Sequence, residues 1–278
     1  MMERGLLDWP GVVFGLVNQP LVAVLPEPVV LAFWALVSSW LTMWVYRRFS
    51  NQEKMAALKP QIKAVQKKLS NYDGEFSGLF PLIRENFSLA GRQLGLALGP
   101  ALLAGVPVLF VLVWISNAYG VTMPAPGAQV EVRAIVTTSV TTSVTTSVAA
   151  NDADPENWQW HGTQADPATT DEAGRAWRLA WPAPDRSAEL ITERGEDVIE
   201  IPPAHPAPVV HKRQWWNTLI GNPAGYLEPS NPAEAIYLGL PKKQMLPFGP
   251  GWMRGWEFLY FLLLIIGSLG WKMVWRIH

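Results

Sequence analysis

Residues 29–69 read VVLAFWALVSSWLTMWVYRRFSNQEKMAALKPQIKAVQKKL, and they join an uncharged segment directly to a basic one. Residues 29–46 carry no charge, and an apolar helix of about 20 residues spans the roughly 30 Å hydrocarbon core of a bilayer. Arg47 and Arg48 follow at once, and a Lys-rich segment continues to Leu69. This junction predicts a transmembrane helix that emerges into a basic helix outside the membrane core.

Two other segments are long and apolar enough to span a bilayer. Residues 94–116 carry no charge, and residues 256–275 carry only Glu257 and Lys272, near the two ends. The chain of 278 residues is 49% hydrophobic and only 16% charged, which is low for a soluble protein. Residues 11–25 are apolar but short, and Pro20 interrupts them, so we expect an interfacial helix there rather than a fourth span.

Lys and Arg are unevenly distributed between the predicted loops. Residues 47–93 contain nine basic and four acidic residues, whereas the first 28 residues contain only one basic residue. Because Lys and Arg favour the cytoplasmic side, we expect the N-terminus outside and the C-terminus in the cytoplasm. The expected location is the cytoplasmic (inner) membrane of a prokaryote, with several spans.

The basic segment after the first span has the pattern of a capped amphipathic helix. Ser50 and Glu53 have the spacing of a capping box, with Ser50 as the N-cap. Apolar residues then recur at alternating spacings of three and four, as in a coiled-coil seam. They are Met55, Leu58, Ile62, Val65 and Leu69. The sequence NYDG at 71–74 predicts a turn. A returning helix then presents Leu79, Leu82, Ile83 and Phe87 to the seam. The alternative is a solvated basic loop.

The long segment between the second and third spans has the pattern of a β-rich domain. Residues 130–136 alternate in polarity, and WRLAW at 177–181 places three large side chains on one face. Two short apolar runs on either side of Gly195 predict a hairpin. TTSV occurs three times in residues 137–148, which is typical of a linker. We expect residues 202–255, rich in Pro, Gly and Trp, to be ordered but irregular.

The predicted fold is therefore an α-helical integral membrane protein with three transmembrane helices, a cytoplasmic helical hairpin and an inserted extracytoplasmic β-rich domain. Its predicted parts are an outside segment (1–28), the first span (29–46), the coiled-coil hairpin (47–93), the second span (94–117), the β-rich domain (118–255), and the third span with a cytoplasmic tail (256–278).

Enzyme chemistry finds little support in the sequence. The chain has no Cys, which excludes disulfides, thiolate catalysis and Cys-ligated metals. It has four His, and none lies in an H-E-x-x-H motif; G-x-S-x-G and phosphate-binding loop motifs are also missing. We expect no catalytic residue, no cofactor and no metal. A net charge of −1 gives no indication of nucleic acid as a partner.

Polar residues and prolines in the spans predict a groove between the first and second spans. Pro100 and Pro107 each free a backbone carbonyl and should bend the second span. Hydroxyl groups on the facing helix would lower the free-energy cost of moving a polar segment of chain through lipid. The alternative is that these hydroxyls bond to their own helix and ease packing. The predicted groove residues are Ser38, Ser39, Thr42, Gln93, Pro100, Pro107, Ser116 and Asn117.

This order of features resembles the Oxa1/YidC/Alb3 superfamily of membrane protein insertases, most of all its small three-span members, the archaeal YidC-like proteins and the eukaryotic EMC-, GET- and TMCO1-type relatives. The likeness covers roughly residues 10–119 and 250–278. It rests on LVNQPLVAVL (16–25), on the K-P-x-I-K-x-x-Q-K-K run at 59–68, on LGPALLAGVPVLFVLVWI (98–115) and on a last span with a basic end. Unlike bacterial YidC proteins, the first two spans contain no Arg, and here the outside domain interrupts the core.

The resemblance implies an insertase or membrane chaperone that uses no covalent chemistry. The hairpin would meet hydrophobic segments of nascent or targeted membrane proteins, and a partly hydrated groove would let a polar terminus cross the bilayer. The implied partners are these client proteins, the lipid bilayer, and the ribosome or other membrane subunits. The residues that would contact the client or ribosome are Lys54, Lys59, Lys63, Lys67, Lys68 and Arg92. The alternative is a structural or adaptor protein that anchors and assembles the outside β domain.

The predicted topology has a direct test, because the chain contains no Cys. Single cysteines introduced at Ser70 and Thr138 should react with a membrane-impermeant maleimide from opposite sides of the membrane. Ser70 lies in the predicted cytoplasmic hairpin and Thr138 in the predicted outside segment. Labelling of both from the same side would contradict the three-span topology.

Overall fold

The computed structural model describes residues 5–136, 158–166, 170–171, 174–192, 195–203 and 205–276. The TTSV repeat lies outside them. The helices are α1 (Gly11–Val24), α2 (Glu27–Phe49), α3 (Gln52–Ser70), α4 (Phe76–Tyr119), α5 (Gly251–Arg254) and α6 (Trp256–Val274). The strands are β1 (Gln129–Ile135), β2 (Gln159–His161), β3 (Ala165–Asp166), β4 (Thr170–Asp171), β5 (Gly174–Ala180), β6 (Ala188–Ile191), β7 (Asp197–Ile201), β8 (Val209–His211) and β9 (Ala235–Leu238).

The chain divides into two compact units. One unit comprises Met1–Leu16 and Val113–Gln244 and contains the strands. The other comprises Val17–Leu112 and Met245–His278 and contains most of the helical residues. We call them the β unit and the helical unit.

Four helical segments of the described chain are long and apolar enough to cross a membrane, and they indicate membrane residence. Two of them, Glu27–Phe49 and Gly78–Tyr119, contain the first two predicted spans, and Trp256–Val274 covers all but the last residue of the third. The fourth, Leu6–Val24, lies where we expected an interfacial helix, and none of its apolar window is buried. Its α-helical part, α1, has 14 residues. That is about 21 Å, short of a 30 Å core. The interfacial placement and the three-span topology stay predictions.

The junction of α2 and α3 corrects the predicted capping box. The backbone N–H of Ser50 donates to the Tyr46 carbonyl at 2.9 Å, and this bond closes α2. The side chain of Asn51 then accepts the N–H of Lys54 at 3.1 Å, so Asn51 is the N-cap of α3. The prediction of Ser50 as the N-cap was wrong because its backbone already serves as the C-cap of the preceding helix.

The seam of α3 is the buried face of that helix. Leu58 and Val65 form an apolar cluster with Leu89, and Ile62 and Leu96 pack against it. Leu89 and Leu96, seven residues apart, therefore supply the facing row of α4. The prediction that Phe87 packs against the seam was wrong, because its side chain is 72% exposed. A shift of two residues turns a helical side chain by about 200°, away from the seam.

Helix α4 is continuous through the predicted boundary between hairpin and span at residues 93 and 94. It has 44 residues and includes Pro81, Pro100 and Pro107. At 1.5 Å per residue it is about 66 Å long, roughly twice the thickness of a hydrocarbon core. The bends predicted at Pro100 and Pro107 stay predictions.

The β unit contains two antiparallel sheets. In the first, β1 is central, and the order is β3-β5-β1-β9-β8 with β4 also paired to β5. In the second, the order is β2-β6-β7. Alternate residues of β1 and β5 point into one apolar core, where Trp158 stacks on Trp177 with ring centroids 6.4 Å apart. The strands predicted at 130–136 and 177–181, and the hairpin around Gly195, are confirmed.

The prediction of wholly irregular structure for residues 202–255 was wrong. That segment contributes β8 and β9, and β9 pairs with the central strand β1. These strands have three and four residues, too short for the alternation of polarity to show in the sequence. The chain enters and leaves the β unit side by side, since Val121 bridges Lys242 and the Thr122 N–H donates to the Pro241 carbonyl at 3.0 Å.

The hairpin seam predicts a difference between two adjacent substitutions of α3. Val65 is 4% exposed, whereas Gln66 is exposed. Val65→Asp should destabilise the hairpin by about 2 kcal/mol or more, because it buries an unpaired charge. Limited proteolysis should then cut the hairpin. Gln66→Asp introduces the same charge on the solvent face and should leave the cleavage rate unchanged. Equal sensitivity of the two variants would show that the seam is not packed.

Candidate functional site

Helices α2 and α6 pack against each other in parallel. The Tyr260 hydroxyl donates to Ser38 Oγ at 2.9 Å, and the Ser39 side chain lies against Gly267. Further along, the Arg47 guanidinium lies over the Trp275 ring, 5.8 Å from its centroid. Residue numbers rise together along both helices, so the two helices run in the same direction.

The hydroxyl groups predicted to line a groove make hydrogen bonds within α2 or to α6. Ser38 and Ser39 are 1% and 0% exposed. Ser39 Oγ donates to the Leu36 carbonyl at 2.8 Å, and Thr42 Oγ1 donates to the Ser38 carbonyl at 2.7 Å. The structure therefore places Ser38 and Ser39 in the packed contact between α2 and α6 rather than on an open cleft. Small side chains have this packing role because they let helix backbones approach closely.

Gly267 is the position on α6 that this close approach requires. A Cβ atom at Gly267 would collide with the Ser39 hydroxyl, whereas one at Gly270 would have nothing within 4 Å. Neither Gly267 nor Tyr260 was among the residues predicted from the sequence. The sequence feature that could have predicted Gly267 is a small residue within an apolar span, because small residues are enriched where membrane helices contact each other.

The remaining predicted groove residues do not gather around Ser38. Gln93, Pro100 and Pro107 are half-buried along α4, and Ser116 is exposed. Asn117 belongs to the β unit, where its amide donates to Asp8 Oδ1 at 3.3 Å. Of the predicted set, Ser38, Ser39 and Thr42 share one contact region.

Asp8 ties Gly5 to Gly221 within the β unit, and it was not among the residues predicted from the sequence. Its Oδ2 accepts the backbone N–H of Gly5 at 2.9 Å and of Gly221 at 2.6 Å. A cavity of about 310 Å³ lies beside it, lined mainly by apolar atoms. The lining includes Asp8, Trp114, Asn117, His205, Pro206 and Gly221. Because the carboxylate of Asp8 is engaged by backbone donors, the arrangement favours a structural tie over acid–base chemistry.

The predicted basic residues of the hairpin belong to α3 and α4. Each of them, Lys54, Lys59, Lys63, Lys67, Lys68 and Arg92, is exposed. Lys67 and Lys68 border an open depression of about 610 Å³ with Tyr72 and Leu82. At about 100° per residue, Lys63 and Lys67 lie opposite the seam, whereas Lys54, Lys59 and Lys68 flank it. The hairpin therefore exposes its charge to solvent while its apolar seam is packed.

Helix α4 carries an exposed apolar face that was not predicted from the sequence. Successive α-helical residues are about 100° apart, and at that spacing its members fall within a sector of about 80°. We call it the α4 face; it comprises Phe76, Phe80, Phe87, Leu94, Leu98 and Leu102. Phe76 and Phe87 are each 72% exposed and Leu94 is 64% exposed. From Phe76 to Leu102 the face is about 39 Å long. Exposed apolar patches of this kind mark contacts with a membrane or a partner.

Comparison with family models, with curated proteins and with solved structures finds no match to this chain. What the chain does is accordingly inferred from its helices and their exposed faces.

The packing of α2 on α6 predicts opposite outcomes for two neighbouring glycines. Gly267→Leu should destabilise the helix pair by about 1–3 kcal/mol, because the side chain must displace Ser39. Gly270→Leu adds the same side chain where space is open and should be tolerated. The measurement is the thermal unfolding midpoint of each variant in detergent. Equal midpoints for both variants would show that α6 does not approach α2 through Gly267.

Proposed function

We propose that this chain is an insertase-like membrane protein or membrane chaperone. In this proposal the hairpin receives hydrophobic segments of nascent or targeted membrane proteins, and the α4 face guides them toward the membrane. The observation that carries the proposal is the α4 face itself, whose exposed apolar side chains recur along one continuous helix from Phe76 to Leu102. It takes the place of the hydroxyl-lined groove that the sequence suggested.

The length of α4 supports this role. Because α4 is about 66 Å long and a hydrocarbon core is about 30 Å thick, a large part of the helix lies outside the core. The most apolar part follows Leu94, whereas charged residues such as Arg84 and Arg92 occur before it. The α4 face therefore runs from a polar surrounding into an apolar one. A client segment could exchange contacts along it without exposing its apolar side chains to water.

The exposed lysines of α3 support a contact with negatively charged partners. Five lysines along one helix create a positive potential that attracts anionic surfaces. The ribosome is the proposed partner of these lysines during synthesis of a client. Anionic lipids or other membrane subunits are alternative partners with negative charge.

The parallel arrangement of α2 and α6 supports the proposed topology. Arg47 and Arg48 lie at the end of α2, and Lys272 lies in the last turn of α6, so the basic ends of the pair coincide. Excess Lys and Arg mark the cytoplasmic side. We therefore propose an N-out, C-in protein of the prokaryotic inner membrane with three spans, with its hairpin in the cytoplasm and its β unit outside.

A second candidate is a structural or adaptor role for the β unit. Its paired entry and exit segments and its Trp-rich core are observations that favour it. In that case the helices would serve as an anchor, and the α4 face would contact lipid or a constant subunit rather than changing clients.

Photocrosslinking distinguishes the two candidates. A photoreactive amino acid at Phe87 or Leu94 should crosslink to a membrane protein during its translation into proteoliposomes that contain this chain. The same probe at Ile266, which is 55% exposed on α6, should not.

Phe80→Ser combined with Phe87→Ser should lower both crosslinking and insertion severalfold, since it removes the apolar contact. The control is Ile265→Ser combined with Leu269→Ser on α6, which should insert clients at the original rate. Unchanged insertion by the Phe80/Phe87 variant would favour the adaptor role.

A further inference from the structure

We propose that Trp44, Arg47, Arg48 and Trp275 form a binding site for the phosphate headgroup of an anionic phospholipid. The four side chains line a cavity of about 270 Å³ in the helical unit, at the point where α2 and α6 end. The proposal does not depend on the function proposed above, because it rests on the ends of α2 and α6 rather than on the α4 face.

The cationic groups of this cavity suit a phosphate. Arginine stays charged at all physiological pH values, and its planar guanidinium binds phosphate oxygens with two parallel hydrogen bonds. Arg47 and Arg48 bring two such groups to one cavity. The position of Arg47 over the Trp275 ring, 5.8 Å from the centroid, holds one of them in place. A restrained guanidinium loses less entropy when it binds.

An apolar stripe on α2 leads directly to the two arginines. Its members are exposed, and at about 100° per residue they fall within a sector of about 80° that includes Arg47, with Arg48 about 40° beyond its edge. They are Val29, Phe33, Leu36, Trp40 and Trp44. Trp40 and Trp44 stack with ring centroids 6.3 Å apart, which gives the stripe a flat surface beside the cavity.

The stripe and the arginines together match the shape of a phospholipid. From Val29 to Trp44 the stripe is about 22 Å long, which exceeds the roughly 15 Å depth of one leaflet of the hydrocarbon core. Acyl chains would lie along the stripe while the phosphate meets Arg47 and Arg48. Trp44 and Trp275 lie at the level between them, where Trp side chains are enriched in membrane proteins. A free phosphate would use the arginines alone, and the stripe would add nothing to its affinity.

Lipid selectivity in detergent tests the proposal. The full chain would be titrated with phosphatidylglycerol and with phosphatidylcholine of the same acyl chains, and bound lipid would be counted by native mass spectrometry. Phosphatidylglycerol should bind about tenfold more tightly or better. Arg47→Gln combined with Arg48→Gln should remove this preference. Arg48→Gln alone should reduce it while leaving the contact of Arg47 with Trp275 intact, which guards against a loss of helix packing.

The control has the same change of net charge at a distance from the cavity. Arg84→Gln combined with Arg186→Gln removes two exposed arginines outside its lining and should keep the full preference. An equal loss in this control would mean that overall charge attracts the lipid, and it would overturn the site. Equal binding of the two lipids by the unaltered chain would also overturn it. So would inorganic phosphate that binds the arginines and displaces phosphatidylglycerol at equal concentration, because the site would then recognise a free anion.

Discussion

The close approach of α2 to α6 at Ser39 and Gly267 is the contact on which the rest of the helical unit depends. Within lipid, apolar surface gains little from leaving its surroundings, so helices associate through close packing and hydrogen bonds. Gly267 provides the packing, and the Tyr260 hydroxyl provides a hydrogen bond to Ser38 across a separation of 222 residues. This contact therefore holds together the two ends of an insertion that includes α3, α4 and all the strands of the described chain.

The parallel direction of this pair constrains the chain between its members. Since α2 and α6 run the same way, the chain that leaves the end of α2 must return to the opposite end before α6 can begin. Helix α4, with 44 residues, is long enough to make that return in one element. The basic residues Arg47, Arg48 and Lys272 collect at the ends of the pair, where cations also interact favourably with the helix dipoles.

Local patterns in the sequence predicted helices and strands well. They failed where the position of a side chain depends on a residue elsewhere in the chain. The seam of α3 and the strands β1 and β5 are visible because their periods extend over several turns or pairs of residues. The cap at Asn51 was missed by one position because the end of α2 had already engaged the backbone of Ser50. Phe87 is exposed because it lies about 200° around α4 from Leu89, which packs on α3. The apolar spacing near Phe87 does not reveal which side of α4 meets α3. Hydroxyls at Ser38 and Ser39 suit a groove or a packed contact equally, and Tyr260 decides between them from the other end of the chain.

The continuity of α4 gives the proposed function its physical basis. Large apolar side chains such as Phe76 and Phe87 remain exposed. Their burial by a partner or by lipid would be favourable by about 25 cal/mol per Å² of apolar surface. If the helix broke at residue 94, a client would lose that contact before it gained the next one in lipid. Because the helix continues through residue 94 to Leu94, Leu98 and Leu102, a client in the proposed function would meet new apolar side chains on the same side of the same helix. Under the proposed function, a segment that moved along the face would therefore cross several small free-energy barriers in place of one large barrier.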